Sequence, residues 1–117
     1  MNNLQIRLIK YSAAIYKECK ALQSNYLTSD YLKQVIRSST SVGANYSEAQ
    51  SASSIKDFHN KIRIALKELK ETHYWIKFIE EILPYKANFR SLESETIELL
   101  KILGTISLKS DPKRRKK

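Results

Sequence analysis

Glycine and proline are almost missing. The 117 residues contain two of each, where average usage would give roughly eight and six. Both residues end helices and build turns, so their scarcity excludes a loop-rich or many-stranded fold and predicts a few long helices in one domain. One cysteine, Cys19, excludes an internal disulfide. Its place on an apolar stripe predicts an inert buried thiol. No basic-then-apolar leader opens the chain, and no apolar run reaches the roughly 18 residues a membrane span needs. The expected setting is cytoplasmic and reducing.

The chemistry of common enzyme sites is also missing. A di-metal carboxylate bundle needs Glu-x-x-His on two helices. The two histidines, His59 and His73, instead follow Lys56 and Lys70. There is no His-Glu-x-x-His, no Cys/His cluster and no glycine-rich phosphate loop. Nothing favours a Ser-His-carboxylate arrangement either. The expectation is a protein without metal, cofactor or enzymatic activity.

What is present is positive charge, +9 overall. Residues 1–47 carry six basic and two acidic side chains. Residues 48–108 carry nine of each, and residues 109–117 carry six basic and one acidic. Charge concentrated at the two ends points to a polyanion or an anionic surface as partner.

Helical spacing then organises the chain. Over residues 4–24, Leu4, Leu8, Tyr11, Ile15, Cys19 and Leu22 mark one face, with Arg7, Lys10, Lys17 and Lys20 opposite. A second helix is expected over about 30–52, capped by Thr28 or Ser29. Its inward series is Leu32, Val35, Ile36, Ser39, Val42, Tyr46 and Ala49. Gly43 belongs inside it as a point of close approach. Ser54-Ile55-Lys56-Asp57 is a capping pattern that opens a third helix. That helix carries Ile55, Phe58, Ile62, Ala65, Leu69, Ile76, Ile79 and Leu83 and ends at Pro84. Ser91 is expected to cap a fourth, with Leu92, Thr96, Leu99, Leu100, Leu103 and Ile106 inward and Gly104 weakening it or ending it early. Residues 109–117 are expected to be disordered, leaving 1–108 as the domain. Short links between such rods predict an all-α, up-down-up-down four-helix bundle.

Two surface features go beyond that. Arg37, Asn45 and Glu48 on the second helix and Asp57, Lys67, Glu68 and Glu71 on the third predict a polar network between helices or subunits. Lys67 and Glu71 are spaced as an i, i+4 pair. The third helix ends in Tyr74, Trp75, Ile76, Phe78, Ile79, Ile82 and Leu83, an apolar arc of about 200° where about 100° serves a core. Self-association would cover the surplus.

The stretch RSSTSVGANYSEAQ followed by KDFHNKIRIALKELKETHYW resembles the four-helix-bundle proteins encoded in intervening sequences of bacterial large-subunit ribosomal RNA genes. It is also similar to the accessory protein of diversity-generating retroelements. Arg37, Asn45, Glu48, Asp57, Phe58, Ala65, Lys67, Glu68, Glu71, Tyr74 and Trp75 carry the resemblance. It implies an up-down bundle assembling as a homo-oligomeric ring, typically a pentamer, with no established enzymatic activity. In the retroelement relatives it implies nucleic-acid binding by a basic surface and a reverse transcriptase partner. The expected function is therefore a non-enzymatic scaffold that binds RNA or DNA by charge, without reading sequence. Its phosphate contacts are expected from Arg7, Lys10, Lys17 and Lys20 and from Lys113, Arg114, Arg115, Lys116 and Lys117. The alternative is a protein-interaction module, such as an accessory subunit of a reverse transcriptase or ribonucleoprotein.

Overall fold

The computed structural model describes residues 1–22, 26–84 and 87–115. They form four long helices, α1 (Asn3–Ala21), α2 (Tyr26–Ala49), α3 (Ile55–Ile82) and α4 (Arg90–Ser110), followed by the short α5 (Pro112–Arg115). No strand occurs among the described residues. The helices stand at four corners. α1 packs on α2 and α4, and α3 packs on the same two, without close approach across the diagonals.

Polar pairs show how neighbours run. Asn2 donates to Tyr46 at 3.1 Å, and Leu8 sits against Gly43. Lys61 meets Glu48 at 3.9 Å while Thr72 meets Ser38 at 2.8 Å. His59 meets Ser110 at 2.9 Å while Lys77 meets Glu93 at 3.0 Å. Arg7 meets Glu98 at 3.0 Å while the Asn88 backbone donates to Glu18 at 3.1 Å. In each pair of helices the partner number falls as the first rises.

The core is the set the spacing identifies. Leu8, Ile15, Val35, Val42, Ile62, Ala65, Leu69, Ile76, Ile79, Leu99 and Leu103 are fully buried, joined by Phe89 from the loop before α4. Each buried Leu or Ile contributes about 1.5–3 kcal/mol of transfer free energy. Burial with Glu18 nearby pushes the Cys19 thiol up to about 12, so it stays protonated and inert. Hydroxyls complete the seams. Ser38 bonds Thr72 between α2 and α3, and Tyr11 bonds Thr96 between α1 and α4. Paired hydroxyls can be buried at little net cost.

Helix ends differ from expectation in four places. Asn2 and Gln5 form a reciprocal capping box at α1. α2 begins at Tyr26, so Thr28 and Ser29 lie inside it. α4 starts at Arg90 with Phe89 at its N-cap and no side-chain cap bond; burial of the Phe89 ring fixes this entry, and Ser91 falls in the first turn. Gly104 does not stop α4, which continues to Ser110. The expected disorder from residue 109 is likewise replaced by α4's last turn and by α5. Lys116 and Lys117 lie outside the described residues. Ile55, expected inward, is half-exposed in the first turn of α3.

Gly43 is inside α2, facing α1. A Cβ built there would lie 3.5 Å from Leu8 Cβ, ordinary van der Waals contact, and one at Gly104 would meet nothing within 4 Å. Neither glycine has positive φ. Gly43→Ala and Gly104→Ala should therefore each raise stability by up to about 1 kcal/mol, read as a higher midpoint in urea unfolding. A loss at Gly43 would mean that α1 and α2 are closer than described.

Candidate nucleic-acid interface

Nine positive and nine negative charges cancel in number over residues 48–108, but the α3 helix sorts its own by direction. At 100° per residue, Lys56, Asn60, Arg63, Lys67 and Lys70 fall within an arc of about 80°. Glu68 and Glu71 fall on the side that faces α2, where both accept from Arg37. These two acidic residues are thereby paired, and the stripe from Lys56 to Lys70 is left toward α4. Lys56, Arg63, Lys67 and Lys70 are all exposed, and none has a carboxylate partner among the described residues. From Lys56 to Lys70 the stripe is about 21 Å long at 1.5 Å per residue.

This stripe lines a groove between α3 and α4. Its lower part, about 560 Å³, includes Lys56, His59, Asn60, Arg63 and Lys113. Its continuation, about 610 Å³, includes Asn60, Arg63, Lys67 and Lys70. Leu66 and Ser107 are common to both. The α5 turn brings Lys113 in from the C-terminal end. It is held by the backbone N–H of Lys113 donating to Asp111 Oδ1 at 3.0 Å and that of Arg114 donating to Asp111 O at 3.1 Å.

The expected phosphate contacts on α1 are placed differently. Arg7 is not a free cation. It donates from Nε and Nη2 to the two oxygens of Glu95 at 2.8 and 2.6 Å and also meets Glu98. The guanidinium holds the Glu95 carboxyl below its usual range. Arg7 thus ties α1 to α4. Lys10, Lys17 and Lys20 are exposed, but they share α1's outer face with exposed Ile6, Ile9 and Tyr16. Of the tail, Lys113 and Arg114 are exposed on α5 and Arg115 closes its turn.

The expected polar network forms in part. Arg37 joins Glu68 and Glu71, and Glu71 also accepts from Trp75 Nε1 at 3.1 Å. Glu48 reaches Lys61 at 3.9 Å. Asn45 does not cross to α3; it donates to Ser41 O one turn back in its own helix at 2.9 Å, a local partner that competes with any distant one. No ion pair joins Lys67 and Glu71, because Glu71 is taken by Arg37 and Lys67 faces the groove. Asp57 serves the cap of α3, accepting from Ser53 N at 3.2 Å while its own N–H donates to Ser54 Oγ at 3.0 Å.

Tyr74 and Trp75 belong to a surface cluster. Tyr31 of α2 lies 4.7 Å from Phe78 and 5.9 Å from Trp75, ring centre to centre, and Trp75 lies 5.2 Å from Tyr74. Tyr74 is 61% exposed and Ile82, two turns on, 37%. Trp75 is a half-buried flank of this patch.

Beyond the patch, α3 and α4 meet through Glu80, Glu93 and Lys77, with Arg90 and His73 nearby. Partial burial first, and a hydrogen bond with Glu93 second, raise the Glu80 carboxyl to about 7. Glu93 is lowered, by that hydrogen bond first and by Lys77 as well. The folded chain keeps a proton on Glu80 that the unfolded chain releases. This contribution is complete below the ordinary glutamate range and is lost as pH rises through about 7. Glu80→Gln keeps a donor for Glu93 without titrating. Relative to this variant, the wild type should lose melting temperature between about pH 5 and pH 8; parallel profiles would contradict the shared proton.

The fold and groove define an all-α helical bundle with a basic face and a separate aromatic patch. The chain belongs to the 23S rRNA-intervening sequence protein family, whose model matches residues 5–105. It is similar to a crystal structure of a protein of unknown function from the S23 ribosomal protein family of Bacteroides thetaiotaomicron. The two share 32% identity over 88% of this chain and 96% of that one, with a TM-score of 0.76. Comparison with curated proteins gives no match. Among the described residues no helix is long and apolar enough to cross a membrane.

Proposed function

We propose that this protein is a non-enzymatic, up-down-up-down helical scaffold that binds RNA or DNA through the α3 stripe and the C-terminal turn. The supporting observation is the row Lys56, Arg63, Lys67 and Lys70, without a carboxylate partner among the described residues and set along an open groove, while Glu68 and Glu71 of the same helix are paired with Arg37. A row of cations without recognition geometry contacts phosphates and leaves bases unread. The family's name ties it to ribosomal RNA genes, which makes single-stranded RNA the first probe. A cytoplasmic setting suits both.

The scaffold assembles as a homo-oligomeric ring, the pentamer that the resemblance implies. The exposed aromatic patch and α1's outer face are the surfaces a neighbouring copy would cover, and pooling several stripes would raise affinity through multivalency. A docking role toward a reverse transcriptase or ribonucleoprotein partner is the second reading, favoured by the same exposed aromatics.

Six contacts, from the four stripe cations with Lys113 and Arg114, give a slope of log K against log salt of about −4 for single strands. Anisotropy of a labelled RNA at several salt concentrations measures it. No binding at low salt, or binding indifferent to salt, would end this reading in favour of the docking role.

A further inference from the structure

The C-terminal turn closes one end of the basic groove, and a side-chain bond from α3 reaches the residue just before it. Ser110 is buried at the end of α4, and its hydroxyl donates to Ser107 O at 3.2 Å. The same oxygen lies 2.9 Å from His59 Nδ1, a hydrogen bond whose donor is set by the histidine tautomer. Through it α3 holds the last turn of α4, and with it Asp111 and α5. Lys113 consequently lines the same cleft of about 560 Å³ as Lys56 and Arg63.

We propose that this cleft is an anchoring site for a backbone phosphate of the bound nucleic acid, assembled only while the His59–Ser110 bond docks the C-terminal turn. Lys56 and Arg63 approach from α3 and Lys113 from the turn, and Asn60 supplies a neutral donor. Asp111 also lines the cleft, but one of its oxygens is occupied by the Lys113 backbone N–H. His59 and Ser110 are positioning residues. Without their bond, Lys113 and Arg114 keep their charge but lose their fixed place, and ordering a free tail on each binding event costs entropy.

The inference rests on the binding function proposed above, so the test separates the two. Ser110→Ala and His59→Ala remove no Lys, Arg, Asp or Glu. Both should weaken single-stranded RNA about tenfold at about 0.1 M salt and reduce the slope's magnitude by about 1. His59→Asn, whose side-chain amide offers both a donor and an acceptor, should restore most of both. Independently of RNA, trypsin should cut after Lys113 faster in the two alanine variants than in the wild type. Unchanged slope and unchanged cutting would overturn the proposal where the stripe remains essential for binding. If neutralising the stripe has no effect, the binding function itself fails, while the trypsin rates still decide whether the bond holds the turn.

Discussion

Replacing Lys56, Arg63, Lys67 and Lys70 together with Gln should lower affinity for single-stranded RNA by about three orders of magnitude at about 0.1 M salt. Four phosphate contacts at about 0.7 each remove close to 3 from the slope. The four side chains are exposed and make no ion pair among the described residues, so helicity and melting temperature should change little. The matched control is Lys10, Lys17 and Lys20 changed to Gln. These charges share their surface with Ile6, Ile9 and Tyr16, and their loss should weaken binding less than about tenfold through the general field alone. The reverse ranking would place the nucleic acid on α1, where the charge distribution along the sequence first puts it.

The second large effect concerns assembly. Tyr74 is 61% exposed and stacks with Phe78, 6.5 Å between ring centres and 12° between planes. Large aromatics at the centre of an interface dominate its energy, with losses of about 2 kcal/mol or more on truncation. Tyr74→Glu places a charge where a neighbouring copy would sit, at an exposed position outside the buried core. Light scattering at micromolar concentration should give a multiple of 13.6 kDa for the wild type and a single chain for the variant. A wild type that is itself a single chain would remove the ring. An unchanged multiple in the variant would move the contact elsewhere, with α1's outer face next in line. RNA binding by the separated chains should persist but weaken, since avidity is lost while each stripe remains.

The four helices and their buried faces are legible in the sequence because apolar spacing is a local signal. Leu8, Ile15, Val42, Leu69 and Leu99 are all buried where the periodicity puts them. Gly43 was readable as an interior position because small residues surround it. The α3 stripe was harder to see. Summing charge over residues 48–108 gives zero and hides that the two signs point in different directions; the spacing Lys56, Arg63, Lys67, Lys70 was the available signal. Long-range partners are not written locally. Nothing near Arg7 announces Glu95, 88 residues on, and nothing near residue 110 announces His59. Asn45 misled for the opposite reason. Its amide is taken by a carbonyl one turn back in its own helix. Residues 110–114 make contacts with that distant histidine and with Asp111, neither of which composition can weigh.

Charge alone made both ends of the chain look like the binding surface. The interface proposed here keeps one end, through Lys113 and Arg114 on α5, and replaces the other with the middle of α3. Arg7 shows the physical reason. A cation on a helix flank beside an acidic neighbour is consumed in packing, whereas one on a flank already cleared of carboxylates stays available. Arg37 clears α3 by taking Glu68 and Glu71.

The most direct measurement is photo-crosslinking of bound single-stranded RNA followed by mass-spectrometric mapping of the modified peptides. Adducts on peptides spanning residues 56–70 and on the segment carrying Lys113 and Arg114 are the expected result. Adducts confined to α1, with the α3 groove unmodified, would contradict the assignment of the groove as the nucleic-acid face.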